Sequence, residues 1–132
     1  MMRKERMAAL LAVALGGATA APALADCLNR TELAITADGA AIDASGSAEA
    51  RAQGDQQRFK VSIDARVADG TTFEVFANGQ LAGTITIALG VGELDLNTND
   101  GAVLPAGSNP VCGITTVEVQ TAAGAVILQG SL

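Results

Sequence analysis

Residues 58–67 read RFKVSIDARV, and apolar and polar side chains alternate through all ten positions. Phe59, Val61, Ile63, Ala65 and Val67 fall on one side; Arg58, Lys60, Ser62, Asp64 and Arg66 fall on the other. A period of two is that of a pleated strand, whose successive side chains point to opposite faces. A helix carrying this pattern would scatter its apolar groups around its circumference and bury none of them together. The segment therefore reads as a strand with one wet and one buried face, and the remainder must supply an opposing layer.

The flanking sequence repeats the theme. In TTFEVFANGQLAGTITIA, residues 71–88, Asn78-Gly79 suits the left-handed conformations of a type I′ turn, which predicts a hairpin. Phe73, Val75 and Ala77 are expected inward on its first strand, and Leu81, Gly83, Ile85 and Ile87 on its second. Asp69-Gly70 reads as the preceding turn. Weaker candidates lie at Glu32–Thr36 and Ala44–Ala52, with turns at Asp38-Gly39 and Gly54-Asp55. Downstream, Gly92–Leu96 alternates with Leu94 and Leu96 inward, residues 97–110 are turn-rich, and Ile114–Thr121 and Ala125–Gln129 close the chain. The run AVILQ is apolar on both sides, which predicts cover on both faces. Seven or eight short antiparallel strands fit a β-sandwich, with a small β-barrel as the alternative. The three Phe are expected in an aliphatic core, since the chain has neither Tyr nor Trp.

From Phe73 to Pro105 the residues follow F-x-V-x-x-N-G-x-x-x-G, then G-x-G-x-L-x-L-x-T-x-x-G and Leu-Pro. This stretch resembles a small all-β module that recurs in exported bacterial proteins of unassigned role. The resemblance implies an all-β fold and brings no catalytic residue with it.

Residues 1–25 have the layout of a secretory signal: Arg3, Lys4 and Arg6, an apolar run from Met7 to Gly17, and Ala23-Leu24-Ala25 as a cleavage site. The expected product is one domain, residues 26–132, periplasmic or extracellular. A lipid anchor on Cys27 is not expected, because Asp26 stands where a small residue should precede the cysteine. The apolar run is too short for a membrane span. Residues 26–132 hold five basic and thirteen acidic residues, a net charge near −8. Such a surface repels nucleic acid and anionic lipid. Two cysteines, Cys27 and Cys112, predict one disulfide in an exported chain.

The chain has no histidine, which removes the usual neutral-pH base and the commonest transition-metal ligand. It carries no nucleophile elbow, phosphate loop or zinc-protease motif. No catalytic set and no cofactor are expected. If chemistry occurred it would rest on carboxylates, with Asp95, Asp100 or Asp64 as candidates for a small hydrolase. The segment Asp95-Leu-Asn97-Thr-Asn99-Asp100-Gly101 resembles the start of a calcium loop, though its glycine sits one position late and Ala106 stands where a bidentate Glu belongs. An Asx-rich turn explains the same residues. Arg58, Lys60 and Arg66 form a basic stripe on the outward side of their strand, readable as a docking face for a protein partner or as cross-strand partners for carboxylates such as Glu74. The function these observations favour is protein binding or assembly, with self-association included.

Overall fold

The computed structural model describes residues 26–132. The expected signal segment, residues 1–25, lies outside the described residues. The strands are β1 (Cys27–Glu32), β2 (Ala34–Ile35), β3 (Ser45–Gln53), β4 (Gln56–Asp64), β5 (Thr72–Ala77), β6 (Gln80–Thr86), β7 (Val91–Asn97), β8 (Thr116–Thr121) and β9 (Val126–Ser131). A single helical turn, α1, spans Ala37–Ala40. The strands form two antiparallel sheets, ordered β1-β3-β4-β7 and β2-β9-β8-β5-β6, which do not close into a barrel. Among the described residues no helix is long and apolar enough to cross a membrane.

The alternation in β4 behaves as its sequence demands. Phe59, Val61, Ile63 and Ala65 are buried between the sheets, opposite Phe73, Val75, Ile85, Val117 and Val119 of the second sheet. Cys27 and Cys112 are disulfide bonded, with Cα atoms 5.9 Å apart and a sequence separation of 85. Closing a loop of that length stabilises by roughly 4–5 kcal/mol on the chain-entropy model. Asn78 and Gly79 both take positive φ, as a type I′ hairpin turn requires.

Two β-bulges alter the expected faces. In β6, Gly83 pairs with Val75 and Leu81 with Phe76, so Ala82 is an extra residue. The insertion reverses the alternation: Ala82 is buried, and Leu81, expected inward, is 49% exposed. In β9, Leu128 pairs with Val119 and Val126 with Gln120, leaving Ile127 extra. Ile127 and Leu128 are both buried while Gln129 is exposed, so a bulge, not cover on both faces, accounts for two adjacent apolar residues out of water. Phe76, expected in the core, sits half-buried on the other side of β5 from Phe73 and Val75.

The turn expected at Asp38-Gly39 is α1. The Thr36 hydroxyl accepts from the Gly39 N–H at 3.1 Å, a normal N-cap, and donates to the Val126 carbonyl at 2.6 Å. Gly39 rests directly on β9, where an added Cβ would stand 2.1 Å from the Ile127 oxygen. Only glycine permits that approach.

Along the opposite rim, β6 and β7 belong to different sheets and lie close together. A Cβ on Gly83 would meet Leu94 Cδ1 at 2.6 Å, and one on Gly92 would meet Ile85 Cγ2 at 2.6 Å and the Thr86 carbonyl at 2.8 Å. Gly92→Ala forces a carbonyl aside, an overpacking that costs about 1–3 kcal/mol. The expected result is a melting temperature lower by roughly 5 °C or more. Gly113→Ala, whose added carbon meets nothing nearer than Pro110 at 3.7 Å, is expected to melt with the parent in the same thermal scan.

Candidate functional site

Strand register sets the outer face of the four-stranded sheet in rows. Arg30, Glu49, Lys60 and Asp95 lie side by side across β1, β3, β4 and β7. On one flank the row is Leu28, Arg51, Arg58 and Asn97; on the other it is Glu32, Ser47, Ser62 and Glu93. Each residue is two positions from its neighbour along the strand, so all twelve share one face.

Charges pair diagonally across these rows. Arg58 holds Asp95 with two bonds, Nε to Oδ1 at 2.9 Å and Nη2 to Oδ2 at 2.7 Å. The hydrogen bond from Arg58 keeps the Asp95 carboxyl below the usual carboxylate range, and the same bond raises the guanidinium. Lys60 Nζ lies 3.7 Å from Glu93 Oε1. Arg66 stands past the end of β4 and pairs with Asp43 at 3.1 Å. The basic stripe is therefore not a free surface: Arg58 and Lys60 share a face but each has an acidic partner, and Arg66 is off the sheet. The partners are Asp95, Glu93 and Asp43, not Glu74, which belongs to β5 in the other sheet.

At the end of this face where β3 and β7 begin and β4 stops, short serine side chains leave a shallow depression of about 540 Å³. Its polar lining is Glu32, Ser45, Ser47, Ser62, Asp64 and Glu93, and Gly46, Ile63, Val91 and Gly92 complete it. The Ser45 hydroxyl donates to Asp64. Glu32 and Glu93 lie on the two edge strands of the sheet, about 14 Å apart at the usual strand spacing, beyond the reach of a glycosidase pair. Asp64 and Glu93 are diagonal neighbours on adjacent strands, about 7–8 Å apart. Of the three carboxylates the sequence nominated, only Asp64 reaches the depression. Asp95 is held by Arg58, and Asp100 lies in the 3-10 turn Thr98–Asp100. Glu32 and Glu93 went unnoticed in the sequence because only the strand register brings Glu93 beside Asp64 and Glu32 to the far side of the same depression.

The calcium-loop candidates Asp95, Asn97, Asn99 and Asp100 follow β7 into that same 3-10 turn. Asn97 Oδ1 accepts from the Asn99 N–H at 3.0 Å and from Gln56 Nε2 at 3.3 Å. Thr98 Oγ1 accepts from the Gln57 N–H at 2.9 Å, and Gly101 closes the turn at φ 83°. The geometry is that of an Asx turn fastened to β4. Among the described residues no group of three or more acidic, cysteine or histidine side chains is placed to hold a metal ion.

Asn78 does more than its turn requires. Its Oδ1 accepts from the Thr115 and Thr116 N–H groups at 2.8 and 3.2 Å, and its Nδ2 donates to the Gly113 carbonyl at 3.0 Å. One hairpin residue thus clamps the segment that carries Cys112. Comparison with protein-family models, curated proteins and solved structures returns no match to this chain.

Two solution measurements follow. The folded pKa of Asp95 is depressed, so its pairing contributes stability above the unfolded carboxylate pKa and loses it as pH falls through the folded value. Asp95→Asn is expected to melt below the parent at neutral pH, with the gap closing as pH falls below about 4, the unfolded carboxylate pKa. Thermal scans in calcium and in chelator are expected to coincide, because Asn97 Oδ1 and both Asp95 oxygens already have donors.

Proposed function

We propose that this chain is an exported binding or assembly domain that works through its sheet surfaces and edges, without turnover. The observation that carries the reading is how the polar side chains are engaged. Four of the groups that could serve chemistry are taken up by structure: Asp95 by Arg58, Glu93 by Lys60, Asn97 and Asn78 by backbone N–H groups. What the described surface leaves open is strand edge and scattered apolar side chains, among them Leu28 at 66% and Leu89 at 90% exposure. The leader-like residues 1–25 and the Cys27–Cys112 bridge support an oxidising compartment outside the cytoplasm.

A second reading, a small carboxylate hydrolase, draws on the placement of Asp64 and Glu93 in one depression. It is the weaker one, since that depression is open and Glu93 leans on Lys60. Purified residues 26–132 are expected to change mass with concentration in light scattering, or to retain a defined protein from envelope extracts. Hydrolysis of a glycoside, ester or peptide panel that disappears in both Asp64→Asn and Glu93→Gln, with no association of either kind, would replace binding with catalysis.

A further inference from the structure

We propose that β1 is a self-pairing edge: it bonds antiparallel to β1 of a second copy, in a register centred on Thr31, so that Arg30 of each copy faces Glu32 of the other. This rests on the binding-domain reading and names its partner.

The four sheet edges are not equivalent. β2 has two residues, too few to template a partner. β6 is interrupted by the bulge at Ala82, a device that spoils edge pairing. β7 is packed along the rim against β6 through Gly92 and Gly83. β1 pairs with β3 without a break from Cys27 to Glu32, and it carries neither Lys nor Pro to blunt its open side.

The open backbone groups can be assigned. The Leu33 N–H donates to the Gly46 carbonyl at 2.8 Å, so odd-numbered residues of this strand turn toward β3. The amides and carbonyls of Leu28, Arg30 and Glu32 therefore face outward. The Glu32 carbonyl also accepts from the Thr31 hydroxyl at 3.2 Å and lies near Gly130 of β9, and its second lone pair is the one a partner strand would use. Their side chains lie on the outer face and are exposed, and neither Arg30 nor Glu32 forms an ion pair with a described residue.

A twofold antiparallel pairing must match these even-numbered residues with one another. Centring on Arg30 sets two guanidinium groups together, and centring on Glu32 sets two carboxylates together. Centring on Asn29 puts Asp26 opposite Glu32. Centring on Leu28 uses Asp26, which lies before the strand and already accepts from the Gly54 N–H at 3.1 Å. Centring on Thr31 gives two Arg30–Glu32 pairs by symmetry, with both members inside β1; Leu28 then falls opposite Ala34, which pairs with β9, so the shared ladder is the stretch Arg30–Glu32. The two four-stranded sheets then run on as one. Strands this short bury less than a standard interface, so the dimer is weak and concentration-dependent.

Charge reversal in residues 26–132, read by sedimentation equilibrium, tests this directly. Arg30→Glu and Glu32→Arg each replace two attractive pairs with two repulsive ones, and each is expected to weaken self-association by about tenfold or more. Glu32 faces Ser47, so Glu32→Arg should melt with the parent; Arg30 faces Glu49, so Arg30→Glu sets two carboxylates opposite each other and should melt lower by no more than about a few degrees. Mixing the two variants restores opposite signs at both pairs, and is expected to give a heterodimer as tight as the parent within about threefold. Parent association that neither reversal disturbs overturns the proposal, as does recovery of Arg30→Glu by Asp26→Arg in place of Glu32→Arg, which would move the centre to Leu28. A parent that stays monomeric yet retains an envelope protein overturns self-pairing and leaves the binding reading standing; a monomer that retains nothing ends both.

Discussion

The bond between Cys27 and Cys112 decides whether β1 belongs to the body of the protein. The inward side chains of that strand are Cys27, Asn29 and Thr31, which offer little apolar area to hold it in place. Its far end turns at Leu33, which is buried; beyond the backbone ladder to β3, its near end is held by the cysteine and the Asp26–Gly54 bond. The anchor must itself be fixed for the bridge to matter, and three interactions fix it. Gln57, buried in β4, accepts from the Val111 N–H at 2.9 Å; Asn78 donates to the Gly113 carbonyl; and Ser108, fully buried, donates to the Pro105 carbonyl at 2.7 Å. Cys112 sits between the first two, so the edge strand is tied to the central strand of its own sheet and to the best-formed hairpin of the other.

That anchoring segment also explains the composition of β3. Its inward residues are Ala48, Ala50 and Ala52, all buried. Alanine on an inner face leaves room, and the 3-10 turn Val111–Gly113 lies against this strand, with Val111 fully buried. Small side chains on one element thus answer a loop pressed in from outside the two sheets, an interdigitation of small against large. The alanines make β3 look like a poor strand by hydropathy, although it is among the longest in the chain.

What could be read in advance follows from this. The alternation of β4, the Asn-Gly turn and the pairing of the two cysteines each depend on a local pattern or on elimination, and each was legible. Leu81 was misplaced because the bulge at Ala82 is a property of two paired strands, and nothing in QLAGTIT alone marks it. The adjacent burial of Ile127 and Leu128 has the same origin. β1 was passed over because CLNRTE turns polar groups inward, which only its position beside the bridge makes tolerable. The rows on the outer sheet face are a product of register across four strands, so neither the neutralising of Arg58 by Asp95 nor the meeting of Asp64 with Glu93 could be seen from spacing.

The rows also place the charge. Of the five basic residues in 26–132, Arg30, Arg51, Arg58 and Lys60 all lie on the outer face of the four-stranded sheet, among Glu32, Glu49, Asp64, Glu93 and Asp95. That face is nearly balanced, and almost the whole negative surplus of the domain lies elsewhere. Two copies with net charge near −8 repel one another at most orientations. They can approach without that cost only where local charge cancels, which is along this sheet and its β1 edge. Salt screens the long-range repulsion within about 8 Å at physiological strength, while groups in contact are screened less. The same arrangement that pairs Arg58 and Lys60 with carboxylates therefore also makes this sheet the least repulsive side of the domain toward a second copy, which is the side the proposed β1 pairing uses.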